Sequence, residues 1–125
     1  MRLATWRSVA GTTFGVVRDD GALFDLGKRA GPGITNLAAF IAAGSLADAR
    51  AILSGSADNY LRDVTLLPPI PIPGKILCVG VNYPERNAEY KDGSEQPKYP
   101  SLFVRFPNSF VGHGAAIIRP PESVQ

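Results

Sequence analysis

Few side chains in this 125-residue chain are of a type that does chemistry, and several of them gather in one stretch, Asn82-Tyr83-Pro84-Glu85-Arg86-Asn87-Ala88-Glu89-Tyr90. A carboxylate can move a proton once burial lifts its pKa toward neutrality. A guanidinium cannot, because it is always protonated and has no acceptor atom. It can instead grip a carboxylate through two parallel hydrogen bonds. Pro84 suits the first position of a helix. A helix from Pro84 to Lys91 puts Arg86 and Glu89 three residues apart on one face. The bland alternative for this pair is an exposed ion pair worth only about 0.3–0.5 kcal/mol. Cys78 sits in an apolar run with nothing beside it to lower its pKa, so it reads as a small core residue and not a nucleophile. His113, between Gly112 and Gly114, reads as a turn residue. The acids after Gly74 are Glu85, Glu89, Asp92, Glu95 and Glu122. A hard divalent cation needs several clustered oxygen ligands, and this scatter supplies no cluster.

Composition narrows the classes further. Hydrophobic residues make up 45% and charged residues 19%, which is the globular range. Thirteen basic against eleven acidic residues leave a net charge of +2, too little to argue for nucleic acid or an anionic membrane surface. One Cys and one His exclude a disulfide framework, a Cys-based zinc site and a His-rich metal centre. The opening Met1-Arg2-Leu3-Ala4-Thr5-Trp6-Arg7 has no apolar targeting core. No run approaches the ~18 apolar residues of a membrane span. The expected setting is the reducing cytoplasm.

The elements that must position the reactive stretch fall on either side of a proline hinge. Pro68, Pro69, Pro71 and Pro73, followed by Gly74, cannot be helical. Ile70 and Ile72 suggest that the hinge lies against a surface. Before it, Leu3 to Arg7, Thr12 to Arg18 and Ala22 to Leu26 read as strands, with Asp19-Asp20-Gly21 as a hairpin turn. Gly27 to Gly33 is a loop. Thr35 or Asn36 caps a helix from Leu37 to Ala43, which Gly44 ends. Ser45 caps a second helix from Leu46 to Ser54, with Leu46, Ala49, Ile52 and Leu53 on one face and Gly55 as its stop. Val64 to Leu67 is a short strand. Asp19, Asp20, Asp25, Asp48 and Asp58 read as solvated turn, cap and helix-face residues, and Trp6 and Phe14 as core. After the hinge, Lys75 to Val81 is a continuous apolar run of strand length, expected to be buried on both faces. Asp92 to Pro97 is a polar loop, and Pro84 to Pro97 together form a mobile lid that buries little. Ser101 to Arg105 is a strand, Pro107-Asn108-Ser109 a turn, and Ile117-Ile118 a short strand.

Three segments in order resemble the opening of the fumarylacetoacetate hydrolase family fold. They are Pro73-Gly74-Lys75-Ile76-Leu77-Cys78-Val79-Gly80-Val81-Asn82-Tyr83, then Pro100-Ser101-Leu102-Phe103-Val104-Arg105 with Pro107-Asn108-Ser109-Phe110, then Val111-Gly112-His113-Gly114-Ala115-Ala116-Ile117-Ile118-Arg119-Pro120. The fold class this implies is α+β. A small N-terminal β/α domain, residues 1–67, precedes the incomplete opening of a mostly β, rolled-sheet catalytic domain, residues 68–125. The resemblance implies a metal-dependent hydrolase that cleaves a carbon–carbon bond in a diketo or keto dicarboxylic acid during aromatic catabolism. Alternatives are a decarboxylase or isomerase of the same family, a non-catalytic member, or a stand-alone binding module. It implies Mg²⁺ or Mn²⁺, with Ca²⁺ possible, held by three carboxylates that come just after the position of Gln125. No metal ligand is therefore expected in these residues, and the fragment alone is expected to be inactive. It implies a small keto-acid substrate and a homodimer, or pairing with a C-terminal part. The family lid carries Asn-Tyr, two residues, His, two residues, Glu. Glu89 matches the Glu and is the expected catalytic acid or base. Arg86 stands at the His position and is the expected clamp on a substrate carboxylate. Arg105 falls where a basic or polar residue often faces the pocket. Tyr83 is an expected substrate contact, and Asn82 shapes the strand-to-helix junction with it. The family position of His113 is not catalytic.

Overall fold

The computed structural model describes residues 1–44, 46–83, 85–91, 93, 95 and 98–124. The expected cap Ser45, the expected helix start Pro84, and Asp92, Ser94, Gln96 and Pro97 of the expected lid loop lie outside the described residues. The chain forms two compact units, Met1–Ile72 with Phe110–Gln125, and Pro73–Ser109. Its secondary structure is α+β.

In the first unit β1 (Arg2–Ser8), β2 (Gly11–Val17) and β3 (Ala22–Asp25) form an antiparallel meander. The turn between β2 and β3 closes as expected: Gly21 sits at φ 84°, which only glycine adopts freely, and its N–H donates to the carbonyl of Arg18 at 3.0 Å. The sequence signal for β4 (Asn59–Tyr60) is too short to read, but it adds to the free edge of β3. β5 (Thr65–Leu67) pairs with the other edge of β1, giving the order β4-β3-β2-β1-β5. β3 and the second half of β2 are buried on both faces. Phe14, Val16, Ala22 and Phe24 face α1 (Leu37–Ala42) and α2 (Leu46–Ala51), which add Leu37, Phe40 and Ala49 to that core. Trp6, Val17 and Leu23 make a second cluster on the opposite face, covered by Leu61, Val64 and Leu66. This two-sided burial is why Val16-Val17 and Ala22-Leu23-Phe24 run apolar without alternating.

Helix ends follow their local chemistry. Asn36 Oδ1 accepts from the Ala39 N–H at 2.9 Å and so caps α1. Gly44, at φ 72°, ends it. The second helix is shorter than the expected Leu46 to Ser54, because Ile52–Ser54 tighten into a 3₁₀ turn before Gly55. Asp25 corrects another expectation. It is only 4% exposed and accepts hydrogen bonds from Thr13 Oγ1 at 2.7 Å and the Lys28 N–H at 3.0 Å. Asp58 in turn accepts from the Asp25 N–H at 2.8 Å and from Arg29 Nη1 at 2.6 Å. Burial pushes the Asp58 carboxyl pKa up, but the Arg29 and backbone hydrogen bonds outweigh it and leave it below the usual range. These two acids tie the loop after β3 to the segment before β4 instead of lying in solvent.

The hinge is anchored at one point, where Thr5 Oγ1 donates to the Pro69 carbonyl at 2.6 Å. Beyond that point it is less covered than expected: Ile72 is 88% exposed. The expected strand at Ile117-Ile118 does not form. Both side chains are exposed and neither has a neighbouring strand to pair with.

The second unit is smaller. β6 (Leu77–Gly80) pairs antiparallel with β7 (Ser101–Val104), with Cys78 opposite Phe103. The strand is shorter than the expected Lys75 to Val81 and is not buried on both faces. Leu77 is 64% and Val79 50% exposed, because one neighbouring strand cannot cover either face. α3 (Arg86–Glu89) follows, a single turn in place of the longer helix expected from Pro84 to Lys91.

Candidate active site

The end of β6 is where the reactive residues meet. Val81 holds φ 51°, a left-handed conformation that costs a non-glycine residue about 1–2 kcal/mol. It turns the chain sharply out of the strand into Asn82-Tyr83. The single turn of α3 follows, and the Tyr83 hydroxyl donates a hydrogen bond to Glu89 Oε2. That bond, with the charge of Glu89 behind it, raises the phenol pKa above its ordinary value.

Arg86 lies on the same turn. Its guanidinium stacks over the Tyr90 ring at 4.8 Å from the centroid, and Nη1 donates to Asn87 Oδ1 at 3.2 Å. Residues on both sides of the junction enclose a cleft of about 420 Å³. Its walls are the strand ends Gly80 and Val81 with Ser101 and Phe103, and on the other side Tyr83, Arg86 and Tyr90. The cleft therefore presents a phenol and a guanidinium to whatever enters it. Glu89 reaches it through Tyr83.

Among the expected site residues, the structure thus groups Tyr83, Asn82, Arg86 and Glu89. Arg105 stacks on Phe103 at 5.2 Å and its N–H donates to the Ile76 carbonyl at 3.2 Å, but it is not in the cleft wall. Cys78 is half-buried within β6. His113 belongs to the first unit, where it borders a depression with Leu61, Val64, Thr65 and Leu66. Tyr90 was not singled out by the sequence. Its position four residues after Arg86 is the spacing at which a cation and a ring meet on a helix face, and that spacing is the signal that could have found it. A divalent cation does not fit what is present: among the described residues no group of three His, Cys, Asp or Glu side chains is close enough to hold one.

The turn after β6 thus sets a hydrogen-bonded phenol–carboxylate pair beside a guanidinium, at the end of a strand pair. Residues 75–125 match the family model described as Fumarylacetoacetate (FAA) hydrolase C-terminal, so this segment is similar to the fumarylacetoacetate hydrolase family. Among curated proteins it is 43% identical over 60 residues to the mitochondrial oxaloacetate tautomerase Fahd2a of Rattus norvegicus, covering 48% of this chain and 18% of that one. It is 37% identical over 71 residues to the oxaloacetate tautomerase YisK of Bacillus subtilis (strain 168), covering 56% of this chain and 23% of that one. A Dictyostelium discoideum protein, the fumarylacetoacetate hydrolase domain-containing protein 2 homolog, is 45% identical over 51 residues, 41% of this chain and 16% of that one. The chain thus spans less than a quarter of the length of these relatives. No helix among the described residues is long and apolar enough to cross a membrane.

Proposed function

We propose that the complete protein interconverts the keto and enol forms of a small keto dicarboxylic acid of the oxaloacetate type. Residues 68–125 would supply the opening of its catalytic domain, in a rolled-sheet fold of the family type. The observation that carries this reading is the Tyr83–Glu89 hydrogen bond beside Arg86, in a segment whose relatives are named for tautomerisation. The reaction only moves a proton between a carbon and an oxygen of one substrate, so it needs a base, a proton carrier and a grip on a carboxylate. Arg86 provides the grip, by bidentate hydrogen bonding. Glu89 is the base of the site, directly or through its partner. The names of the relatives favour this proton transfer over the carbon–carbon hydrolysis expected from the sequence. Hydrolysis would also require an activated water.

The test is an assay of the complete protein on oxaloacetate, following enol and keto forms separately from pyruvate release and from cleavage of a diketo acid. We expect fast interconversion, and a fall of ~10²-fold or more in kcat for Glu89→Gln, the scale of a positioned acid–base group. Cleavage or decarboxylation without interconversion would replace this reading with the hydrolase or lyase one.

A further inference from the structure

We propose that Tyr83 is the group that meets the substrate, and that Glu89 stands behind it as a proton store, so that the two work as one relay. The inference rests on the tautomerase reading above and deepens it. Three observations carry it. The Tyr83 hydroxyl is hydrogen-bonded to the Glu89 carboxylate. Tyr83 lines the cleft together with Arg86, whereas Glu89 does not. Arg86, one turn before Glu89, is a permanent cation that cannot carry a proton in either direction. The phenol is therefore the cleft-facing end of the pair.

The chemistry balances without any other group. Tyr83 Oη takes the proton from the carbon next to the keto group while passing its own proton across the hydrogen bond to Glu89 Oε2. The C–H electron pair becomes the enolate, whose carboxylate stays on Arg86. The flow then reverses toward a different atom. Tyr83 gives its proton to the enolate oxygen and recovers the one stored on Glu89. One proton has moved from carbon to oxygen, and both side chains end as they began. The carboxylate beside the phenol disfavours the phenolate, so Tyr83 rests as the phenol, the form from which this sequence starts.

The experiment compares Tyr83→Phe, Glu89→Gln and the double variant in the complete protein. We expect each single change to lower kcat for oxaloacetate enolisation by ~10²-fold or more with KM within about threefold of wild type. The double variant should be little worse than either single one, as for groups that act as a unit. Tyr83→Phe with most of its kcat, beside an inactive Glu89→Gln, overturns the relay and leaves the tautomerase reading standing with Glu89 acting alone. A strictly multiplicative double variant also overturns it. An ultraviolet titration of the phenol, assigned by its loss in Tyr83→Phe, gives a readout that needs no turnover. Glu89→Gln should lower the Tyr83 ionisation midpoint. An unchanged midpoint overturns the pair itself. A wild-type protein that shows the coupled midpoint but does not enolise oxaloacetate overturns the tautomerase reading and, with it, the relay's role in that reaction.

Discussion

Arg86 and Glu89 share one helical turn yet are held by different partners, and their loss should be felt in different kinetic constants. A guanidinium on a substrate carboxylate makes the same contact in the ground state and in the transition state. Removing such uniform binding raises KM and leaves kcat nearly unchanged. Arg86→Ala in the complete protein should therefore raise KM for the keto acid by ~10-fold or more, the cost of a lost charge-assisted hydrogen bond, with kcat within a few-fold of wild type. A matching fall in kcat would place Arg86 on the reacting atoms instead. A second residue-scale expectation concerns pH. Asp20 accepts from Arg18 Nε at 3.0 Å and from the Ala22 N–H at 3.1 Å. The Arg18 hydrogen bond, followed by the backbone one, lowers its carboxyl pKa from 3.8 to about 2. A carboxyl depressed in the folded state stabilises above its unfolded pKa and loses that contribution as pH falls. The Asp20 contribution should then be whole above about pH 4 and fade toward pH 2. A carboxylate titration by NMR should place the midpoint near 2, and Arg18→Ala should raise it without restoring 3.8, since the Ala22 bond remains.

At the scale of elements, the return of the chain after the second unit depends on one close approach. A Cβ on Gly112 would lie 2.0 Å from the carbonyl oxygen of Leu66 in β5, so only glycine lets this segment lie on that strand. Gly112→Ala should leave β1 to β3 intact and release the segment around residue 112. Faster amide exchange at Gly114 and Ala115, with Val16 and Phe24 unchanged, is the expected result. Unchanged exchange at Ala115 would show that the backbone accommodates the methyl group. Elements such as this divide into those that local sequence specifies and those that it does not. The hairpin at Asp19-Asp20-Gly21 and the Asn36 cap are read from a handful of neighbouring residues, because a positive φ or an orphan N–H has few chemical solutions. The Leu66–Gly112 contact links residues far apart in the chain, and no local pattern announces it. The burial of Asp25 was equally hidden, since its partner Thr13 reaches it only once β2 and β3 pair, although the Lys28 N–H is a local donor three residues on. At the site, the motif spacing brought Tyr83, Arg86 and Glu89 into view. Which of them pair did not follow from spacing, because i to i+3 spacing points to an Arg86–Glu89 ion pair, whereas the observed Tyr83–Glu89 bond spans six residues.

Over the whole molecule, buried apolar surface is divided unequally. Among the described residues every fully buried hydrophobic side chain, from Trp6 to Ala49, belongs to the first unit. The second unit leaves Leu77, Val79, Leu102 and Val104 each at least half exposed on the two strands that its described residues form. A two-stranded sheet without a covered face is marginal in water. Side chains of this size contribute about 1.5–3 kcal/mol each when fully buried, and here that contribution is largely unrealised. Local opening of β6 and β7 should therefore be much easier than global unfolding, whereas β1 to β3 should open only with it. Hydrogen exchange on the 125-residue chain should show this directly. Amides of Val16, Leu23 and Phe24 should be protected at least ~100-fold more than those of Cys78 and Val79, a gap of about 2.7 kcal/mol in opening free energy. If the rolled sheet proposed above covers both faces of this pair in the complete protein, the β6 amides should gain protection there while those of β2 and β3 stay as they are. Equal protection of Cys78 and Val16 in the short chain would mean that the strand pair is stable without such a cover, and that the apolar run from Lys75 to Val81 does not need further strands to bury it.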